Sequence, residues 1–114
     1  MVLPSAGQVV LVPFPFSDLC RAKLRPAVVL ADAGRNDWIL CQITSNPYGD
    51  SLAIRLVGES FDEGLLRVTS FARPGKLFTA NQELMIAKAG TLKIGPFEQI
   101  VEAIMSILRN SLRQ

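Results

Sequence analysis

The chain contains no histidine, and that absence removes more chemistry than any other feature of its composition. Without imidazole there is no Ser-His-Asp or Cys-His nucleophile system, no histidine acid/base pair and none of the usual catalytic zinc sites. Catalysis, if present, must rest on carboxylates, hydroxyls, lysine or arginine, and the sequence calls for no metal and no cofactor. Cysteine is nearly as scarce. Cys20 and Cys41 lack metal-ligand spacing, and in a reducing compartment they are expected to remain thiols. No apolar run approaches the roughly 18 residues of a membrane span. Residues 1–6 lack the basic stretch and long apolar core of a signal peptide. The expected location is therefore cytoplasmic, with no membrane partner. Charge is also nearly balanced, at a net +2, so any contact with nucleic acid must rest on local clusters.

Such clusters are present. Arg21, Lys23 and Arg25 crowd one segment, and Arg67, Arg73 and Lys76 fall in a stretch with no acid between Glu63 and Glu83. Hydrophobic residues make up 49% of the 114 and charged residues 19%. That balance suits one compact domain, 1–114, able to bury a core without disulfides or metal.

Along the chain, Gln8 to Val12 reads as a buried strand, β-branched and led in by Gly7. Pro13-Phe14-Pro15-Phe16 then favours an extended path without sheet pairing, and residues 17–23 form a polar loop. Pro26 to Ala31 forms a second strand, making a long-looped hairpin with the first. Pro26 supplies no backbone donor, so it belongs at a strand start or an edge, and it forces Arg25 into an extended conformation. A turn over residues 32–37 leads to a third strand, Trp38 to Ile43. Leu52, Ile54 and Leu56 alternate as a fourth. Gly58 to Gly64 reads as a turn-rich connection, and Leu65 to Ala72 as a fifth strand halted at Arg73-Pro74-Gly75. Leu77 to Thr79 is expected to pair briefly, and Leu84 to Lys88 is a short element of unassigned type. Gly95-Pro96 marks a helix start with proline at the first position. Phe97, Ile100, Val101, Ile104, Ile107, Leu108 and Leu112 follow with amphipathic spacing. The expected fold is mainly β with a C-terminal α-helix: a small barrel-like sheet closed by that helix.

Three segments set polar groups at strand ends: Arg25-Pro26, Thr44-Ser45, and Ser70 with Arg73-Pro74. Taken singly, Arg25 is an ordinary strand-end charge, Thr44-Ser45 a turn with locally satisfied hydroxyls, and Arg73 to Lys76 a solvated turn. Taken together they make a pocket of guanidiniums and hydroxyls that suits a phosphodiester. Planar guanidiniums pair two phosphate oxygens at once, and hydroxyl donors add stabilisation as charge develops. Phe14, Phe16 and Trp38 have the chemistry to stack bases, although Trp38, at a strand start, fits better as core.

In order, Gly7-x-Val-Val-Leu-Val-Pro-Phe-Pro-Phe-Ser-Asp, Arg25-Pro-Ala-Val-Val-Leu, Cys41-Gln-Ile-Thr-Ser, Ser70-x-x-Arg-Pro-x-Lys-Leu and a closing helix resemble the MazF/PemK family of toxin endoribonucleases over nearly the whole chain. The resemblance implies an SH3-like barrel of the MazF/CcdB type. It also implies a homodimer that cuts single-stranded RNA without metal by 2′-hydroxyl attack, and a cognate antitoxin with an acidic, disordered tail. Carried over by position, it makes Arg25 and Thr44 the catalytic pair, with Ser17, Lys23, Ser45, Ser70, Arg73 and Lys76 as substrate-binding residues. The sequence departs from the family pattern at Gln8, Leu24, Phe71, Ala72 and Gly75. The loss of a basic side chain at Leu24 and of an acid at Gly75 implies reduced activity. The alternatives are a non-catalytic toxin or RNA-binding module of the same fold, either a degenerate nuclease or a gyrase-type toxin acting by protein contact. The C-terminal Asn110-Ser111-Leu112-Arg113-Gln114 lacks the Trp-Gly-Ile ending of the gyrase-poisoning branch.

Overall fold

The structure, a computed structural model, describes residues 2–14 and 23–113. The expectations for Phe16, Ser17, Cys20 and Arg21 lie outside the described residues. Among the described residues seven strands and one α-helix follow in order: β1 (Gln8–Pro13), β2 (Leu24–Gly34), β3 (Asp37–Thr44), β4 (Ile54–Leu56), β5 (Phe61–Gly64), β6 (Ser70–Asn81), β7 (Ala87–Leu92) and α1 (Ile94–Asn110). The strands form one sheet in the order β4-β6-β3-β2-β1-β7-β5, and every pairing is antiparallel.

The two edges of this sheet, β4 and β5, are consecutive in the chain and joined only through the 3-10 turn Gly58–Ser60. So short a connection forces the sheet to curl and bring its edges toward each other, the barrel-like sheet expected from the sequence. The connection is itself pinned. Val57 N–H donates to Ser60 Oγ at 3.0 Å, and Lys93 N–H, just before α1, donates to the Ser60 carbonyl at 2.8 Å.

The central strands are buried on both faces, so their apolar runs are continuous rather than alternating. Val9, Val28, Cys41, Ile43, Leu56, Phe61 and Ala72 pack on one face with Ile100 of α1. Val10, Val12, Ala27, Val29, Leu40 and Met85 pack on the other, with Trp38 and Phe78 half-buried against them. Phe14 belongs to the core and meets Phe78 edge-on, with ring centroids 5.2 Å apart.

Several expectations from sequence are corrected. Residues 65–69 lie outside any strand, and Arg73-Pro74-Gly75 does not end one. Instead β6 runs from Ser70 to Asn81, with its register against β3 jumping from Ala72 to Leu77. The four residues between have no ladder partners, so buried Pro74 sits where no amide donor is required. The Gly58 to Gly64 connection contains β5. The unassigned stretch near Leu84 leads into β7, which pairs with both β1 and β5. Pro26 is the third residue of β2 rather than its first. It pairs with Leu11 of β1, and the ladder to β3 begins only at Ala27. Pro96 is the third residue of α1, still in the first turn, where its missing N–H has no intrahelical partner to lose.

Candidate functional site

The site follows from strand register. Arg25 pairs with Val12 across β1. Continuing the β2–β3 register beyond Ala27↔Gln42 sets Arg25 opposite Thr44, and residues directly opposite in an antiparallel pair share a face. Thr44 in turn pairs with Phe71 of β6, one residue beyond Ser70. Arg25, Thr44 and Ser70, far apart in sequence, thus reach one end of the sheet because three strands end or begin there.

A pocket of about 360 Å³ opens at that end. Three cations line it, Lys23, Arg25 and Arg67, with three hydroxyls, Thr44, Ser45 and Ser70, above the apolar side chains of Ile43 and Leu66. Among the described residues no acid lines it, and none of these three cations makes an ion pair with another described residue. The described lining of the pocket is therefore cationic, the electrostatic setting for an anion.

The hydroxyls are not equivalent. Thr44 is buried; its Oγ1 donates to the Asn46 carbonyl at 3.1 Å and accepts from Asn46 N–H at 3.2 Å. Ser70, also buried, donates to the Val68 carbonyl at 3.0 Å. Ser45 is exposed at the rim. To donate to a ligand, Thr44 must turn its proton away from the Asn46 carbonyl, which lies on an exposed residue where water can replace the bond.

Of the residues expected from sequence, Arg25, Thr44, Lys23, Ser45 and Ser70 come together here, while Arg73 and Lys76 do not line the pocket. Lys76 is exposed on β6. Arg73 turns to the loop after β3: its Nε donates to Asp50 Oδ2 at 3.1 Å, and its guanidinium carbon lies 5.5 Å from the centre of the Tyr48 ring. Sequence reading passed over Arg67 as a pocket residue, although it shares the acid-free stretch with Arg73. The error came from assigning residues 65–69 to a strand.

Cys41, beneath this region, is buried, and burial pushes its thiol pKa up to about 12. Its Sγ donates to the Arg73 carbonyl at 3.2 Å. It is a packed neutral thiol, not a nucleophile. Among the described residues no three His, Cys, Asp or Glu side chains gather as metal ligands, and no helix is long and apolar enough to cross a membrane.

The family model described as PemK-like, MazF-like toxin of type II toxin-antitoxin system matches residues 5–108. The chain belongs to this family. Its fold is that of solved MazF structures. The crystal structure of MazF (Form-I) from Deinococcus radiodurans superposes with a TM-score of 0.74 at 18% identity, covering 95% of this chain and 98% of that one. An endoribonuclease in complex with its cognate antitoxin, from a mycobacterial species, gives 0.70 at 13% identity over 95% of each chain. Mycobacterium tuberculosis toxin MazF-mt6 gives 0.70 at 14% identity, covering 90% of this chain and 96% of that one. No curated protein matches by sequence. Within the PemK/MazF family, then, this chain keeps the fold while sharing fewer than one residue in five with these structures.

Proposed function

We propose that this PemK/MazF-like toxin is a metal-independent endoribonuclease acting on single-stranded RNA. The observation that carries the reading is the convergence of Arg25 and Thr44 in a pocket whose described lining adds two further cations and no acid. In the reaction, O2′ of the ribose attacks the adjacent phosphorus while the bond from phosphorus to O5′ breaks. One proton leaves O2′ and one is gained at O5′, so a 2′,3′-cyclic phosphate and a 5′-hydroxyl form without consumption of water. Arg25 pairs with the non-bridging oxygens as their charge grows, and Thr44 and Ser45 donate hydrogen bonds to the same centre. Lys23 holds a flanking phosphate as a point charge and Arg67 another through its planar guanidinium fork. The half-exposed Leu24 beside Arg25 adds apolar contact and no charge, which predicts modest turnover.

Cleavage of single-stranded RNA in excess EDTA tests this. The wild type cuts and leaves 5′-hydroxyl ends, and Arg25→Ala lowers the rate by about 10²–10³, the usual effect of removing one donor to a developing oxyanion. No cutting by the wild type, or equal cutting by Arg25→Ala, overturns the reading. RNA binding without turnover identifies the chain as a binding module instead.

The same pocket suits an acidic peptide. We infer that a cognate antitoxin with an acidic, disordered tail covers it, and that the toxin acts in the cytoplasm as a homodimer. Support for self-association is the apolar groove formed by Leu30, Ile39 and Leu77 of the sheet with Val101, Met105 and Leu108 of α1.

A further inference from the structure

Thr44 ends β3 at the pocket, and the loop that follows presents a feature the reaction does not use. Tyr48 stands in the left-handed region at φ +55°, followed by Gly49 at +73°. For a bulky aromatic residue this backbone is uncommon and strained. The loop holds it with several bonds: Tyr48 N–H donates to Asn46 Oδ1 at 2.9 Å, and Asp50 N–H to the Pro47 carbonyl at 2.9 Å. Asn46 is also the residue that engages the Thr44 hydroxyl. Tyr48 is therefore coupled through one turn to the candidate catalytic pair.

The strain does not serve burial. Tyr48 remains 66% exposed. One side of its ring faces the Arg73 guanidinium, 5.5 Å from the ring centre, and that guanidinium donates through Nε to Asp50 Oδ2 at 3.1 Å. The ion pair is mostly withdrawn from water, with side chains 18% and 17% exposed. An aromatic ring fixed in orientation, backed by a held cation and open to solvent, is how proteins receive an unpaired nucleobase.

We propose that Tyr48 is a nucleobase-stacking platform flanking the cleavage pocket, with Arg73 and Asp50 as the residues that position its ring. The proposal rests on the RNA reading above and deepens it. It gives Arg73 a role in orienting a base rather than in gripping the scissile phosphate. Stacking is tolerant of sequence, because every base has a π-face, so the platform contributes affinity and register along the strand more than base identity.

The test is equilibrium binding of a random-sequence pool of 2′-O-methyl RNA decamers, which lack the attacking hydroxyl and cannot be cut. Tyr48→Ala and Tyr48→Gly are expected to bind roughly five- to 150-fold more weakly than wild type. Tyr48→Phe and Tyr48→Trp keep the stacking face and stay within about twofold. Tyr48→Gly also relieves the backbone strain, so it melts no lower than wild type and separates loss of binding from loss of fold. Wild-type binding that Tyr48→Ala leaves unchanged overturns the platform and spares the nuclease reading. Failure of the wild type to bind the pool at all overturns the RNA reading and the platform with it. A second readout uses 2-aminopurine within the same decamers. Its fluorescence is quenched on binding to wild type, Tyr48→Phe and Tyr48→Trp but not to Tyr48→Ala, and equal quenching by Tyr48→Ala overturns the proposal.

Discussion

Asp50 shows how a single side chain holds the loop beside the pocket. Leu52 N–H donates to its Oδ1 at 2.9 Å. That bond is the main reason its carboxyl titrates below the ordinary 3.8, with the Arg73 guanidinium adding to it against the cost of partial burial. A carboxyl with a lowered folded pKa binds its proton less readily folded than unfolded. Its stabilising contribution is therefore complete above about pH 4 and lost as pH falls through the folded value. Asp50→Asn should be less stable than wild type at pH 7, and the gap should shrink as urea unfolding is repeated toward pH 3. A gap that stays constant with pH would rule out this role. None of this was visible in sequence, because Asp50 and Arg73 are 23 residues apart and meet only through the left-handed turn at Tyr48 and Gly49. Arg25 and Thr44 were legible for the opposite reason. Each stands at the end of an apolar run, and strand ends in a curled sheet converge.

Among the elements, the strands with strong apolar signatures, β1, β2 and β3, were read correctly to within a few residues, and so was α1. The misreadings share a cause. The short β5, Phe-Asp-Glu-Gly, and β7, Ala-Lys-Ala-Gly-Thr-Leu, owe their place to close backbone approach rather than to large side chains. Gly64 and Gly90 face each other across this pair. A Cβ at Gly90 would lie 2.5 Å from the Glu63 carbonyl oxygen and 2.9 Å from the Phe61 ring. Backbone cannot yield there without opening the ladder. Gly90→Ala should therefore cost about 1–3 kcal/mol, as overpacking does elsewhere, measured from urea midpoints. An unchanged midpoint would show that β5 is not held as described. In β6 the turn signals of Arg73-Pro74-Gly75 were real, but the strand absorbs them as an unpaired stretch and continues.

At the scale of the whole molecule, the helix closes the barrel with a single fully buried residue, Ile100, while Leu108 remains 62% exposed and Leu112, in the 3-10 turn that follows, 83%. This uneven burial motivates the expectation of a homodimer. Light scattering on the eluting peak should give twice the chain mass, and Leu108→Glu should shift the protein toward the monomer. A monomeric wild type would refute self-association through this face.

The pairing of β7 with β1 also has a consequence for how the chain comes into being. Val9 and Val10 lie beside Gly90 and Lys88, so β1 must wait for β7 before its ladder is complete. At a synthesis rate of about 5–20 residues per second, roughly 80 intervening residues hold that partner back for several seconds. Long-range pairings of this kind are also the slow ones once the partner arrives. During this interval valine-rich β1 can pair with β2 on one side, while its other side lacks β7. The barrel cannot close around its strand ends until β7 has been made, so the pocket at those ends matures late.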